Sequence, residues 1–163
     1  MNPSLISFAQ WLEHSSLSKV LENSAPLAVG VSIAHYLSFF ILVGTSAIID
    51  LRILGFAGRN QGVAEFTEPF FPWTWTALAV AVATGILEFF PDASIMLTIQ
   101  WFYVKLLVTL VGAILLVVLQ KSVPKWERLH AVHVTAKILA AASLILWIFT
   151  ILSAAEVPQQ ANI

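Results

Sequence analysis

The stretch LAVGVSIAHYLSFFILVGTSAII, residues 27–49, decides the fold of this chain. It is predominantly apolar and long enough to cross a hydrocarbon core, which takes about 20 residues of helix. His35 lies in its middle, and Asp50 and Arg52 follow directly after it. Because an ionisable side chain at bilayer depth is costly and is usually functional, these three residues are the first candidates for a site.

The composition of the whole chain also indicates a membrane protein. Of its 163 residues, 59% are hydrophobic and only 10% are charged, whereas a soluble domain carries about 25% charged residues. The net charge of −1 gives no reason to expect nucleic-acid binding. The absence of cysteine excludes disulfides, thiolate metal sites, iron–sulfur clusters and covalently attached haem.

Four stretches are long and apolar enough to be membrane spans: residues 27–49, 73–90, 99–119 and 135–154. Small residues recur at every fourth position within them, for example Ala77, Ala81 and Gly85, and this spacing lets helices pack closely. The links between spans are short and polar, which favours antiparallel neighbours. We therefore predict an all-α fold, an antiparallel up-down four-helix bundle that is integral to the membrane and forms a single domain over residues 1–163.

The distribution of basic residues predicts the orientation of the bundle. Arg52 and Arg59 flank the first connection, and Lys121, Lys125 and Arg128 flank the third. Since cytoplasmic loops are enriched in Lys and Arg, residues 50–72 and 120–134 are expected to be cytoplasmic and both termini to lie outside. Residues 3–22 have the pattern of two short amphipathic helices that lie on the outer leaflet. An alternative is a helix docked over the mouth of the bundle.

The ionisable groups of the spans fall into two layers. His35 and Asp50 are separated by roughly 22 Å along one helix, so they cannot share a site. The outer layer contains His35, Glu88 and Lys105. The inner layer contains Asp50, Arg52, His130, His133 and Lys137.

These layers allow several ion pairs and one cofactor site. Glu88 or His35 is a partner for Lys105, and Asp50 is a partner for Lys137 or Arg52. A purely structural role for Asp50, Arg52, Glu88, Lys105 and Lys137 competes with every functional interpretation, because such groups also snorkel or lock a bundle. The candidate cofactor-binding pair is His35 with Lys105.

Histidine in a helical membrane bundle raises the possibility of haem b. His35 and His133 differ in depth by roughly 15 Å, which argues against ligation of one haem by both. A five-coordinate haem on His35, with Lys105 near a propionate, stays open. A second candidate site is a two-histidine, one-carboxylate metal site formed by His130, His133 and Asp50. Two interfacial histidines without a metal are the simpler interpretation.

Several strings resemble a bacterial family of uncharacterised small four-span inner-membrane proteins. They are Asp50-Leu51-Arg52-Ile53-Leu54-Gly55, Pro72-Trp73-Thr74-Trp75, Lys105-Leu106-Leu107 and Leu146-Trp147, together with His35 and Gly85. That family is distantly similar to copper-resistance-D-like and cytochrome-b561-like bundles. The resemblance implies a bundle in the bacterial inner membrane and a redox or metal-linked role, but it supplies no ligand set.

Three functions remain in view, and no catalytic motif is present to indicate an enzyme. The first is an accessory or anchoring subunit of a larger redox-linked membrane assembly, with the lipid bilayer and a membrane-protein partner or second copy as its contacts. The second is electron transfer by haem b on His35. The third is a small transporter or proton relay along a path through His35, Ser38, Ser46 and Asp50.

Overall fold

A computed structural model describes residues 3–129 and 132–161, and every regular element in them is helical. Two short helices precede the bundle, four long helices form it, and two short helices lie in its connections. In chain order they are α1 (Pro3–Glu13), α2 (Ser16–Glu22), α3 (Ala25–Leu54), α4 (Val63–Thr67), α5 (Phe71–Phe89), α6 (Ala93–Met96), α7 (Gln100–Leu129) and α8 (Val134–Ala161). A 3-10 turn, Glu68–Phe70, joins α4 to α5.

The four long helices confirm the predicted all-α four-helix bundle. Within the described residues, four helical segments are long and apolar enough to cross a membrane, so the chain is a multi-pass membrane protein. Two of these segments contain the expected spans 27–49 and 135–154, and the other two cover spans 73–90 and 99–119 except for Phe90 and Ile99. The largest extension is in α7, which continues through Pro124 to Leu129. Residues 120–129 are therefore helical, although we expected them in a connection.

The first long helix has well-defined ends. Pro26 lies in the first turn of α3, where the missing N–H of proline removes no helical hydrogen bond. At the other end Gly55 has a φ of 89°, a left-handed conformation that glycine adopts without steric cost. Its N–H donates to the carbonyls of Leu51 and Arg52 and so caps the helix.

The helices are arranged in the order α5, α3, α8, α7, with α3 and α8 in the centre. The expectation that every helix packs on the next one in the chain is wrong for α5 and α7, which do not pack along their lengths. They meet near their ends. The rings of Phe89 and Phe102 stack with centroids 5.5 Å apart, and Trp75 Nε1 donates to Gln120 Oε1 over 2.7 Å.

Each end of the bundle has its own cap. At the end near His35, which we call the His35 end, Ala9 and Leu12 of α1 pack on Ala93 of α6. Glu13 Oε1 also accepts a hydrogen bond from the backbone N–H of Ser94. The helix thus docks over the bundle mouth, while its other side exposes an apolar surface of Leu5, Ile6, Phe8 and Trp11. The opposite end, which we call the Asp50 end, holds α4 and the connection between α7 and α8.

The middle of the bundle is filled by Trp147. Its side chain is fully buried and packs with Leu42 of α3 and Ala77 of α5. On α7, Gly112 leaves space for the indole, since a Cβ at this position would lie 3.2 Å from Trp147 Cζ2. Close packing of this kind makes the site sensitive to one added methyl group.

Gly112→Ala tests this packing. We expect the free energy of unfolding of this variant to be about 1–3 kcal/mol lower than that of a Gly44→Ala control, because the added methyl group overpacks the indole. A Cβ at Gly44 meets nothing within 4 Å, so the control experiences only the change in helix propensity. Denaturant titration of both variants in detergent measures the difference. Equal stabilities would contradict the described position of Trp147.

Candidate functional site

His35 is held in one orientation by a hydrogen bond to the neighbouring helix α5. Its side chain is buried, and Nδ1 lies 3.0 Å from Thr84 Oγ1. The Thr84 hydroxyl donates its one proton to the carbonyl of Val80 over 2.7 Å. It can therefore only accept from the imidazole, which places a proton on Nδ1 and, in the neutral ring, a lone pair on Nε2.

The close approach of His35 to α5 depends on Gly85. A Cβ at position 85 would lie 3.1 Å from His35 Cε1, which is tighter than ordinary van der Waals contact. The small residues Ala77 and Ala81 of the same stripe are buried. The stripe noted in the sequence thus lies at the interface with α3 and makes room for the imidazole.

Glu88 and Lys105 complete the polar group. Glu88 Oε2 lies 3.9 Å from His35 Nε2, one helical turn beyond Thr84. Lys105 of α7 interacts electrostatically with both His35 and Glu88. Among the described residues the pair of His35 and Glu88 is the only acid–base pair within 4 Å, and it is an ion pair only when the imidazole is protonated. We expected Glu88 or His35 to be the partner of Lys105, whereas the structure places Glu88 next to His35 and shows no ion pair between Glu88 and Lys105 within 4 Å.

Two cavities meet at His35 and Lys105. The first, here the polar cavity, has a volume of about 390 Å³ and is also lined by Glu22, Glu88 and Asp92. The second, here the apolar cavity, has a volume of about 440 Å³ and is lined mainly by aliphatic and aromatic side chains of α3, α5 and α7. Both volumes lie in the range of small-molecule sites.

The apolar cavity reaches the outer surface of the bundle. Its lining includes Val82 and Ile86 on α5 and Tyr103 and Leu106 on α7, and each of these side chains is about half exposed. They flank the gap left where α5 and α7 do not pack along their lengths. Since the outside of a membrane bundle faces hydrocarbon, this gap opens towards lipid.

The polar cavity carries an excess of negative charge. Its described lining includes the three carboxyl groups of Glu22, Glu88 and Asp92 but only one ammonium group, that of Lys105. Burial raises the pKa of Asp92 above its usual value, and the neighbouring carboxylates of Glu13 and Glu22 raise this pKa further. An anionic group is therefore disfavoured in this cavity, whereas a neutral or cationic one is not.

The other candidate residues lie at the Asp50 end. The Asp50 carboxyl is buried, and no described cation lies within 4 Å of it. Arg52 is partly buried, and its Nη2 donates to the carbonyl of Gln61 rather than to Asp50. Lys137 is exposed, so its expected burial and its pairing with Asp50 are wrong.

Asp50 and His133, the described members of the candidate metal site, do not lie within 4 Å of each other, and the site as a whole stays a prediction. His133 is exposed next to the start of α8, whereas Asp50 is buried, and His130 lies outside the described residues. Within the described part of the chain no three His, Asp or Glu side chains form a group that could hold a metal ion.

The polar path that we expected along α3, from His35 to Asp50, is interrupted. Ser38 Oγ donates to the carbonyl of His35, and Ser46 lies two turns further along the same buried face. Between them Leu42 and Trp147 are both fully buried and in contact. The two layers expected from the sequence are thus separated by an apolar layer.

Thr84 is the site residue that the sequence alone did not single out, and Gly85 was noted only in the small-residue stripe and in the family resemblance. Thr84 precedes Glu88 by four residues, which places both side chains on one face of α5. That spacing was visible in the sequence. What the sequence did not contain was the pairing of this face with His35, because it depends on how α3 and α5 pack.

Comparisons with known proteins give no further information about the site. No family model matches the chain, and neither a curated protein nor a solved structure does. The geometry of the two cavities is therefore the basis for assigning a function.

Asp92→Asn tests the electrostatics of the polar cavity. An acid whose pKa is raised in the folded state binds its proton more tightly there than in the unfolded chain. The stability of the fold therefore increases as the pH falls from the pKa of the folded state to the lower pKa of the unfolded chain. At neutral pH the ionised Asp92 destabilises the fold, and the variant should be more stable by at most about 1 kcal/mol, since the group is partly exposed. Melting curves at several pH values should show this advantage shrinking towards acid pH. An advantage that does not depend on pH would contradict the assigned cause.

Proposed function

We propose that the protein binds a neutral amphipathic molecule of the bilayer, of the quinone or quinol class, as an accessory subunit of a redox-linked membrane assembly. The observation that carries this proposal is the junction of the two cavities at His35 and Lys105. A hydrocarbon tail fits the apolar cavity, and a polar ring fits the junction. The excess of carboxylates in the polar cavity favours an uncharged ring over a phosphate head group.

The polar groups at the junction suit both oxidation states of such a ring. The lone pair on His35 Nε2 accepts a hydrogen bond from a quinol hydroxyl, and the Lys105 ammonium donates one to a carbonyl oxygen. Glu88, at 3.9 Å from Nε2, is placed to share a proton with the imidazole. The gap between α5 and α7 gives the molecule a route from the lipid without passage through water.

We also propose an orientation for the assembly. The connections at the Asp50 end and the helix ends that flank them contain five basic residues: Arg52, Arg59, Lys121, Lys125 and Arg128. By the positive-inside rule this end is cytoplasmic, and the His35 end and both termini face outwards in a bacterial inner membrane. The polar cavity then faces the outer aqueous side.

Lys105→Met provides the sharpest test of the ligand. Binding of decylubiquinone to the protein in nanodiscs should weaken by about tenfold or more, because a hydrogen bond from a charged donor is worth about 1.5–3 kcal/mol. Lys137→Met, which removes an exposed ammonium group at the opposite end, is the matched control and should bind as the wild type does. Equilibrium dialysis measures both affinities. Equal binding by the two variants, or none by the wild type, would refute the proposal.

Haem b on His35 is the second candidate, because one observation favours it. A ligating histidine usually donates from its other ring nitrogen to a protein acceptor, as Nδ1 does to Thr84. Among the described residues, the cavity linings contain no second histidine, so the iron would have one protein imidazole. The chemistry that haem would supply is one-electron transfer.

A visible spectrum after expression with ample haem tests this candidate. We expect a Soret band that is lost in His35→Ala and kept in His133→Ala, because only His35 lines the cavities. A protein without the band, or a band that survives in His35→Ala, would remove haem from consideration.

A further inference from the structure

The interface between α3 and α8 at the Asp50 end contains a second polar cluster that the proposed function does not use. Asp50 and Ser46 lie one turn apart on the buried face of α3, and Ser143 lies on the buried face of α8. The Ser143 hydroxyl faces the Asp50 carboxyl across this interface. All three side chains are about 1% exposed.

The hydroxyl groups of this cluster differ from the other buried hydroxyls of the bundle. Each of those hydroxyls donates to a backbone carbonyl three or four residues earlier in the chain, as seen for Ser38, Thr74, Thr84, Thr150 and Ser153. Ser46 Oγ and Ser143 Oγ have no hydrogen-bond partner of regular geometry, and neither does Asp50 Oδ2. Three oxygen atoms without a partner are thus collected in one small region.

Among the described residues, no positive charge balances Asp50. Arg52, two residues further along α3, donates a hydrogen bond from Nη2 to the carbonyl of Gln61. The other described charged or titratable groups at this end include Lys137 on α8, His133 just before α8, and Glu65 on α4. All three side chains are exposed. A carboxylate buried without a counter-charge is strongly unfavourable, so a cation that binds Asp50 would stabilise the fold.

We propose that Asp50 Oδ2, Ser46 Oγ and Ser143 Oγ form a binding site for a sodium ion. Carboxylate and hydroxyl oxygens are hard ligands of the kind that such cations prefer. The cluster lies at the end opposite to His35 and is separated from it by Leu42 and Trp147. This site is therefore independent of the proposed ligand at the junction of the cavities.

Thermal unfolding in detergent at pH 8 tests the site. Sodium chloride at about ten times the dissociation constant should raise the melting temperature by about 3–5 °C relative to choline chloride at equal ionic strength. Asp50→Asn keeps the size of the side chain and removes its charge, so its response to sodium should disappear. Asp92→Asn is the matched control at the other end and should keep the full response.

Two further measurements make the result unambiguous. If Asp50→Asn does not fold, Ser143→Ala removes one ligand and should reduce the sodium response, whereas Ser122→Ala, an exposed-face control, should not. Dicyclohexylcarbodiimide, which attacks protonated carboxyl groups in apolar surroundings, should label Asp50 more slowly when sodium is present. A wild type that does not respond to sodium, a response that survives in Asp50→Asn, or labelling that sodium does not slow would each overturn the proposal.

Discussion

The constraint on which this structure depends is the cost of placing polar side chains in hydrocarbon. Helix α3 carries His35, Ser38, Ser46 and Asp50 on one face, and all four are buried. That face must turn inwards, because a polar group that is exposed to lipid has no hydrogen-bonding solvent. The helix consequently lies in the centre of the bundle, with α5 on one side and α8 on the other.

The central position of α3 explains the gap that forms the candidate site. With α5 packed on α3 and α7 packed on α8, the two outer helices are bridged by Phe89 with Phe102 and by Trp75 with Gln120. Between these bridges a cavity opens at the surface of the bundle. The same arrangement places His35 at the inner wall of this cavity, where Thr84 and Gly85 fix the position of its ring.

The parts of the fold that could be predicted are those that depend on local sequence. The four spans follow from runs of apolar residues, and the separation of His35 from Asp50 follows from helical rise alone. The neighbours of α5 could not be predicted in this way, because a short connection brings two helix ends together without making the helices pack along their lengths. For the same reason Lys105 could be placed in the outer layer, but its relation to Glu88 and His35 could not.

The sequence by itself determined that the chain spans a membrane with four helices and that its ionisable groups form two layers, because hydropathy and helical periodicity are properties of each segment. Only the tertiary structure decided that Thr84 and Glu88 meet His35 and that Ser143 faces Asp50. These contacts join helices that are distant in the chain. They depend on the rotation of each helix about its axis, and that rotation is set by the packing of whole helix faces rather than by any one segment.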